Sequence, residues 1–344
     1  MLLRVMAAVV LLLCCATPRV LAQQVEAPAL VLTPSVRSVG MGFSGAADDT
    51  DPMNTFLNPA TLAALDGLYG AGFIGEALGN VASDLVFGGF DAGFGYQLKL
   101  NDTTHLGAAA QLRVGILDYG DSTVVDTTGQ AASDPQEDYT GATIGLNLHV
   151  GGLAIGAGVT AKRWGQDFGF QKTTGVWAYD VGMLISHTLV QETKVTTIAF
   201  GISGVNLGGD FTTADSTRSL PKAVNYGLTA RIGGPNREFL SATVPELQVV
   251  VNVDYSDFQD SPGAFRLGGE ISVLQAAFLR VGWQKMESSD VHDINFGLGL
   301  GLPLKHLRAR VDYAVNPVFR IKNDDEEPLD YHDHKIAAFA EIPL

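Results

Sequence analysis

Four arginines and four carboxylates in this chain have the look of a catalytic cluster: Arg231, Arg280, Arg308 and Arg310, with Asp180, Asp254, Glu270 and Asp312. All eight fall in segments where apolar and polar residues alternate, so their charges share the inner face of extended strands. Enclosed charges must be compensated. Their expected role is to pair across a lumen and to whatever fills it. The histidines (His105, His149, His187, His292, His306, His332 and His334) are scattered, and only His332 and His334 are close. Two residues apart in an extended segment share a face, which would suit a metal pair, but the pair reads better as part of a loop. No Gly-x-Ser-x-Gly elbow and no Walker-type loop occurs. Both cysteines, Cys14 and Cys15, precede the folded part, leaving it without a thiol for catalysis, zinc or a disulfide. The expectation is a protein that is not an enzyme and holds no cofactor.

Two acidic segments offer a different chemistry. One carries Asp118, Asp121, Asp126, Asp134, Glu137 and Asp138 without a basic residue; the other carries Asp324, Asp325, Glu326, Glu327, Asp330 and Asp333. Carboxylate clusters suit calcium, although neither has the ligand spacing of an EF-hand loop. Solvated surface loops are the plainer reading. The net charge of −15 excludes nucleic acid as a partner, because polyanions need a basic surface.

The elements that carry these residues are strands. Tyr139 to Ala161 lacks any Asp, Glu, Lys or Arg and is long enough for a membrane helix. Its texture excludes one. Ala142, Ile144, Leu146, Leu148 and Val150 alternate with Thr143, Gly145, Asn147 and His149, and Gly151-Gly152 marks a hairpin turn. The same alternation recurs in Val224 to Ile232, Leu247 to Tyr255 and Leu307 to Tyr313. One face is aliphatic, with tyrosines near the ends; the other holds glycine and charge. Charged residues are only 17% and glycines number 40, a composition for lipid outside and a crowded polar lumen inside.

Fourteen alternating segments can be counted, near 67–77, 84–100, 105–117, 139–150, 153–163, 176–189, 194–207, 222–233, 246–257, 264–274, 276–286, 291–302, 305–315 and 334–344. Their links alternate in length, with short ones such as Gly151-Gly152 and Pro303-Leu304 and long ones such as Asp118 to Asp138 and Asn316 to Asp333. That asymmetry belongs to an all-β transmembrane antiparallel barrel in outer-membrane lipid, both chain ends on the periplasmic, short-turn side. Gly234 to Pro245 breaks the rule, being long where a short turn is due. Residues 1–22 read as a secretory signal, with Arg4, an apolar run and a small-residue site for cleavage after Ala22.

Residues 23–66 do not alternate. Asn58 can cap a short helix that starts at Pro59 and runs to about Ala64. A barrel of fourteen strands (residues 67–344) is too wide for its wall side chains to fill, so this segment is the expected plug. Gly88, Gly89 and Gly93 offer either a kink that would interrupt the second strand and open the barrel sideways, or room for the hatch to pack against the wall.

The run Arg37-Ser38-Val39-Gly40-Met41-Gly42, then Asp48-Asp49, then Asn58-Pro59-Ala60 resembles the N-terminal part of the PorV/PorQ family of FadL-like outer-membrane barrels. The likeness continues through Tyr179 to Met183, Val205 to Gly208, Leu220-Pro221, Leu267 to Glu270, Leu279 to Trp283 and Val311 to Ala314, covering nearly all of the chain after the signal. One departure is the ending Ile342-Pro343-Leu344, where such barrels usually end in an aromatic residue. The resemblance implies a fourteen-stranded barrel with an N-terminal hatch. It also implies a place in type IX protein secretion, with secretion components and exported proteins as partners. Those partners would meet the long outer loops around Asp121, Asp126, Asp134, Asp324, Asp325 and Glu326, directly or through calcium. The broader FadL likeness implies instead a hatch-gated channel for hydrophobic small molecules.

Overall fold

The computed structural model describes residues 27–76, 85–120, 135–168, 172–212, 217–287, 292–318 and 331–343. Fourteen strands form one closed antiparallel barrel. They are β1 (Gly67–Glu76), β2 (Val86–Lys99), β3 (Thr104–Asp118), β4 (Gln136–Val150), β5 (Leu153–Asp167), β6 (Lys172–Gln191) and β7 (Lys194–Gly208). The second half comprises β8 (Ala223–Gly233), β9 (Leu247–Phe258), β10 (Ala264–Val273), β11 (Ala277–Met286), β12 (His292–Leu304), β13 (Leu307–Val318) and β14 (Tyr331–Pro343). Each pairs with its sequence neighbour, and β1 closes on β14 with Gly67 opposite Pro343. Closure leaves no sheet edge, which is how a β-structure satisfies its backbone in lipid.

Alternation sets the two faces. On β4, Ile144, Leu146 and Leu148 are exposed outward while Thr143, Gly145 and Asn147 are buried inward. The charge-free stretch from Tyr139 is a β4–β5 hairpin turning at Gly151, whose φ of +60° suits glycine. Among the described residues no helix is long and apolar enough to cross a membrane. The anomalous link after β8 is a small hairpin of its own, Asn236–Phe239 paired with Ala242–Pro245. Several strands outrun their apolar alternation: β4 starts at Gln136 and β6 at Lys172. Backbone pairing continues past the point where lipid demands apolar side chains, so the pattern fades before the ladder does.

Residues 27–65 lie inside the barrel and run from its long-loop end to its short-turn end. Near the top, Ala29 N donates to Glu137, at the start of β4, at 3.1 Å; near the bottom, Leu65 O accepts from Gln97, close to the end of β2, at 3.3 Å. This hatch has almost no regular structure beyond α1 (Val36–Gly40) and three 3-10 turns, Pro28–Leu30, Pro52–Phe56 and Pro59–Ala64. Capping defines the start of α1 and of the last two turns: Ser35, Asp51 and Asn58 accept from the backbone N–H of Ser38, Met53 and Ala60. The expected signal and its cleavage site after Ala22 lie outside the described residues, as do Asp121, Asp126, Asp134, Asp324, Asp325 and Glu326.

Candidate functional site in the lumen

The hatch meets the wall through two chemistries. On β4 to β8 it rests on glycines. A Cβ added at Gly145 would stand 2.8 Å from Ala63 N, and one at Gly227 would stand 2.8 Å from Ala47 N; at Gly158 and Gly182 it would run into Pro59 and Asn58. Backbone packs directly on backbone, and wall side chains then bond what remains. Asn58 donates through Nδ2 to Ala46 O at 2.8 Å and Met183 O at 3.1 Å, while Asn225 donates to Leu57 O at 2.8 Å. Pro59 and Ala60 open the 3-10 turn that lies on this shelf. Asn58 therefore does more than cap.

On β9 to β13 the hatch is held by charge. Arg37 gives Nη1 to Asp48 of the hatch at 2.6 Å and Nε to Glu270 of β10 at 2.8 Å. Glu270 also receives Arg280 at 2.6 Å, Arg280 reaches Asp312 at 2.7 Å, and Arg310 reaches the other oxygen of Asp312 at 2.6 Å. Burial by itself would weaken the Arg37 charge, but Asp48 and Glu270 more than reverse this and hold its pKa above the ordinary arginine value. Burial would likewise raise the Asp48 carboxyl, and Arg37, then Arg231, overcome it and leave the pKa low. Asp254 holds the hatch by its backbone, accepting from Gly45 N at 2.7 Å and Ala46 N at 2.8 Å. Gly40 and Gly42 let this side close up. A Cβ at Gly40 would stand 2.9 Å from Gly297 Cα, and Gly42, at φ +69°, lies on Trp283 and Gly282.

The eight charges singled out from sequence are thus spread over several contacts. Arg231 pairs with Asp49 of the hatch at 3.2 Å, Arg308 with Glu341 at 3.6 Å, and Asp180 with Lys162 at 2.8 Å. Sequence reading missed Asp91 and Arg113, which pair at 2.5 Å while Arg113 also donates to Thr55 and to Met53 O of the hatch. The signal was there, since both sit at inward positions of β2 and β3 and face each other in register.

Three expectations need correction. His332 and His334 are not loop residues but lie in β14, opposite Pro317 and Val315. Glu137 is not part of an acidic surface loop. It is 1% exposed and accepts from Ala29 N, Tyr119 Oη and Trp164 Nε1 at 3.1, 2.6 and 3.1 Å. β4 begins one residue earlier and turns this side chain inward. Nor do Gly88, Gly89 and Gly93 interrupt β2, which pairs with β1 and β3 from Val86 onward without a register shift. Gly89 and Gly93 make room for the rings of Phe73 and Tyr69 directly across the ladder. The irregularities of the wall lie elsewhere, around Gly165 between β5 and β6 and around Asp180 between β6 and β7.

Along its axis the lumen changes character. At the long-loop end Phe87, Leu117, Tyr139, Trp164, Phe211 and Leu220 form one buried cluster with Leu30, Leu32, Val36 and Phe56 of the hatch. At the short-turn end lies a polar cavity of about 410 Å³, lined among others by Arg231, Arg308, Arg310, Phe278, Phe339 and Leu65. Arg310 sits between two rings there, 5.6 Å from the centre of Phe278 and 5.4 Å from that of Phe339. Among the described residues no three His, Cys, Asp or Glu side chains converge on a metal-sized site.

This geometry has counterparts among solved barrels. The toluene transporter TbuX of Ralstonia pickettii matches with a TM-score of 0.52 and 16% identity, covering 91% of this chain and 98% of that one. Two deletion mutants of TodX, a monoaromatic hydrocarbon channel of Pseudomonas putida, match at 0.51 and 0.50. Their identities are 12% and 14%, over 89% and 90% of this chain and 98% of each of theirs. The shared property is the fold. No family model matches the chain, and no curated protein is recognisably similar to it.

Proposed function

We infer that this protein is an outer-membrane conduit for hydrophobic small molecules, closed at rest by its hatch. The observation that carries the reading is the apolar cluster at the long-loop end, where Phe87, Leu117, Tyr139, Trp164, Phe211 and Leu220 are buried together against the hatch. A water-filled porin is polar there. The described structurally similar barrels are toluene and monoaromatic hydrocarbon channels, which supports the same assignment. With the long loops outside the cell, a molecule entering this mouth meets Leu30 and Phe56 first. It leaves through the polar cavity beside Arg231 and Arg310 once the hatch has moved. Nothing in the β2 ladder provides a sideways exit at Gly88 to Gly93.

The test is uptake of an apolar aromatic probe by cells whose lipopolysaccharide leaflet otherwise excludes it. Expression should raise uptake several-fold, and Leu117→Asp, which puts a charge into the apolar mouth, should abolish the gain. Uptake no faster than in cells without the protein would end the reading.

Type IX secretion is the second reading, favoured by the Arg37 to Gly42 and Asn58-Pro59-Ala60 motifs. It makes the long loops the contact surface for exported proteins, directly or through calcium. Replacing Asp121 to Gln136 and Lys322 to Asp330 by short glycine-serine turns would then abolish secretion and cargo co-purification while leaving probe uptake intact.

A further inference from the structure

Beyond the ion-pair network, toward the long-loop end, the inward faces of β12 and β13 carry oxygen-bearing side chains with unpartnered atoms. Asn295 of β12 lies opposite Gly282 and is 0% exposed, yet neither its amide oxygen nor its amide nitrogen has a partner. β12 and β13 pair through Phe296 opposite Val315, which makes Asn295 and Asn316 neighbours on the inward parity. Asn316 is buried too, its amide oxygen unpartnered, and it stands opposite Asp333 of β14. Two residues along β12, Asp293 accepts from Gln284 Nε2 at 2.8 Å with one carboxylate oxygen and leaves the other, Oδ1, without a partner.

A buried acceptor left unsatisfied costs about 1–3 kcal/mol. Three of them, at neighbouring positions of two adjacent strands, call for a common partner. Residues directly opposite in a ladder have Cβ atoms about 4.5–5.5 Å apart. Calcium takes its oxygens at about 2.3–2.6 Å, so one ion between the strands reaches side chains from both. A set of carboxylate and amide oxygens, with neither sulfur nor imidazole, suits a hard cation.

We propose that Asp293, Asn295 and Asn316, with the carboxylate of Asp333, form a calcium site in the lumen wall. The ion ties the long-loop ends of β12, β13 and β14 together, and water completes its shell. Lys335, two residues along β14, also feels the charge of Asp333. The Lys335 ammonium lies 5.9 Å from the centre of the Phe43 ring of the hatch, and Arg266 donates to Ser256 Oγ.

Equilibrium dialysis of the refolded full chain in detergent against radioactive calcium tests this, with heat-shifted gel migration showing that each variant has folded. One calcium per chain is expected, undisplaced by tenfold magnesium. Asn295→Leu and Asp293→Asn should each weaken it at least tenfold, and Asn316→Leu serves if either fails to fold. A chain with Asp324→Asn, Asp325→Asn and Glu326→Gln should bind as the wild type does. Absence of bound calcium, binding indifferent to the wall variants, or binding lost with the loop variant would each overturn the site and leave those oxygens to buried water.

Discussion

The two sides of the hatch are held by opposite means. Toward β4 to β8 it lies on a shelf of glycines, with contacts set by backbone shape and a few amide hydrogen bonds. Toward β9 to β13 one arginine, Arg37, is locked into a chain of ion pairs running through Glu270, Arg280 and Asp312. The shelf fixes position, because shape tolerates little displacement. The ionic side supplies a lock that depends on every member, because removing one buried partner strands the charge of the next. A hatch that must move and return is well served by hinging on the first side and unlocking on the second.

The largest test of that contrast is Glu270→Ala, which leaves Arg37 and Arg280 buried without their shared anion. Breaking a buried pair costs about 3–5 kcal/mol, so the hatch should undock while the barrel still migrates as a folded species. Planar-bilayer recordings should show a closed pore become an open one; unchanged conductance would mean that the ion pairs are not the lock. Gly282→Ala comes next, since its new methyl would occupy the space of Gly42 and the Met41 carbonyl. Overpacking of this kind costs about 1–3 kcal/mol, and because the wall cannot yield, protease cleavage within residues 36–48 should rise. Asn58→Ala removes a cap worth about 1 kcal/mol together with two bonds that tie the turn to the shelf. Its effect should be flicker in conductance without full opening; an effect as large as that of Glu270→Ala would erase the distinction between the two sides.

The smallest effect concerns pH. Asp48 has a folded pKa below its ordinary value of 3.8, so the docked hatch gains stability from it above that value and loses the gain as pH falls through the folded one. Docking should therefore be flat from neutral pH down to about 5 and weaken only below about 4. Conductance measured across that range checks the sign: a hatch that tightened on acidification would contradict it.

Much of the fold was legible residue by residue. Period-2 alternation identified fourteen strands and their inward faces, and the Asn58-Pro59 signal located the 3-10 turn of the hatch. That wall charges would pair with whatever fills the lumen was legible in kind, though not that Glu270 in particular would meet Arg37. Glu137 escaped because its segment has too few apolar residues at its start to show that the strand has begun. The reading of Gly88 to Gly93 as a kink failed for a related reason. Glycine marks both a break and a close approach, and only the partner strand, with Phe73 and Tyr69 opposite, tells them apart.

Where the alternation is clear, the sequence alone determined which way each side chain points, because a strand offers only two faces. It determined no partner. Which carboxylate meets which arginine depends on register, on barrel closure and on the path of the hatch through the lumen. Those bring Arg37 to Glu270 across 233 positions of chain, and they place the unpartnered amide oxygens of Asn295 and Asn316 on neighbouring positions. Direction is a local property of the backbone; pairing is a property of the closed barrel, and only the tertiary structure decided it.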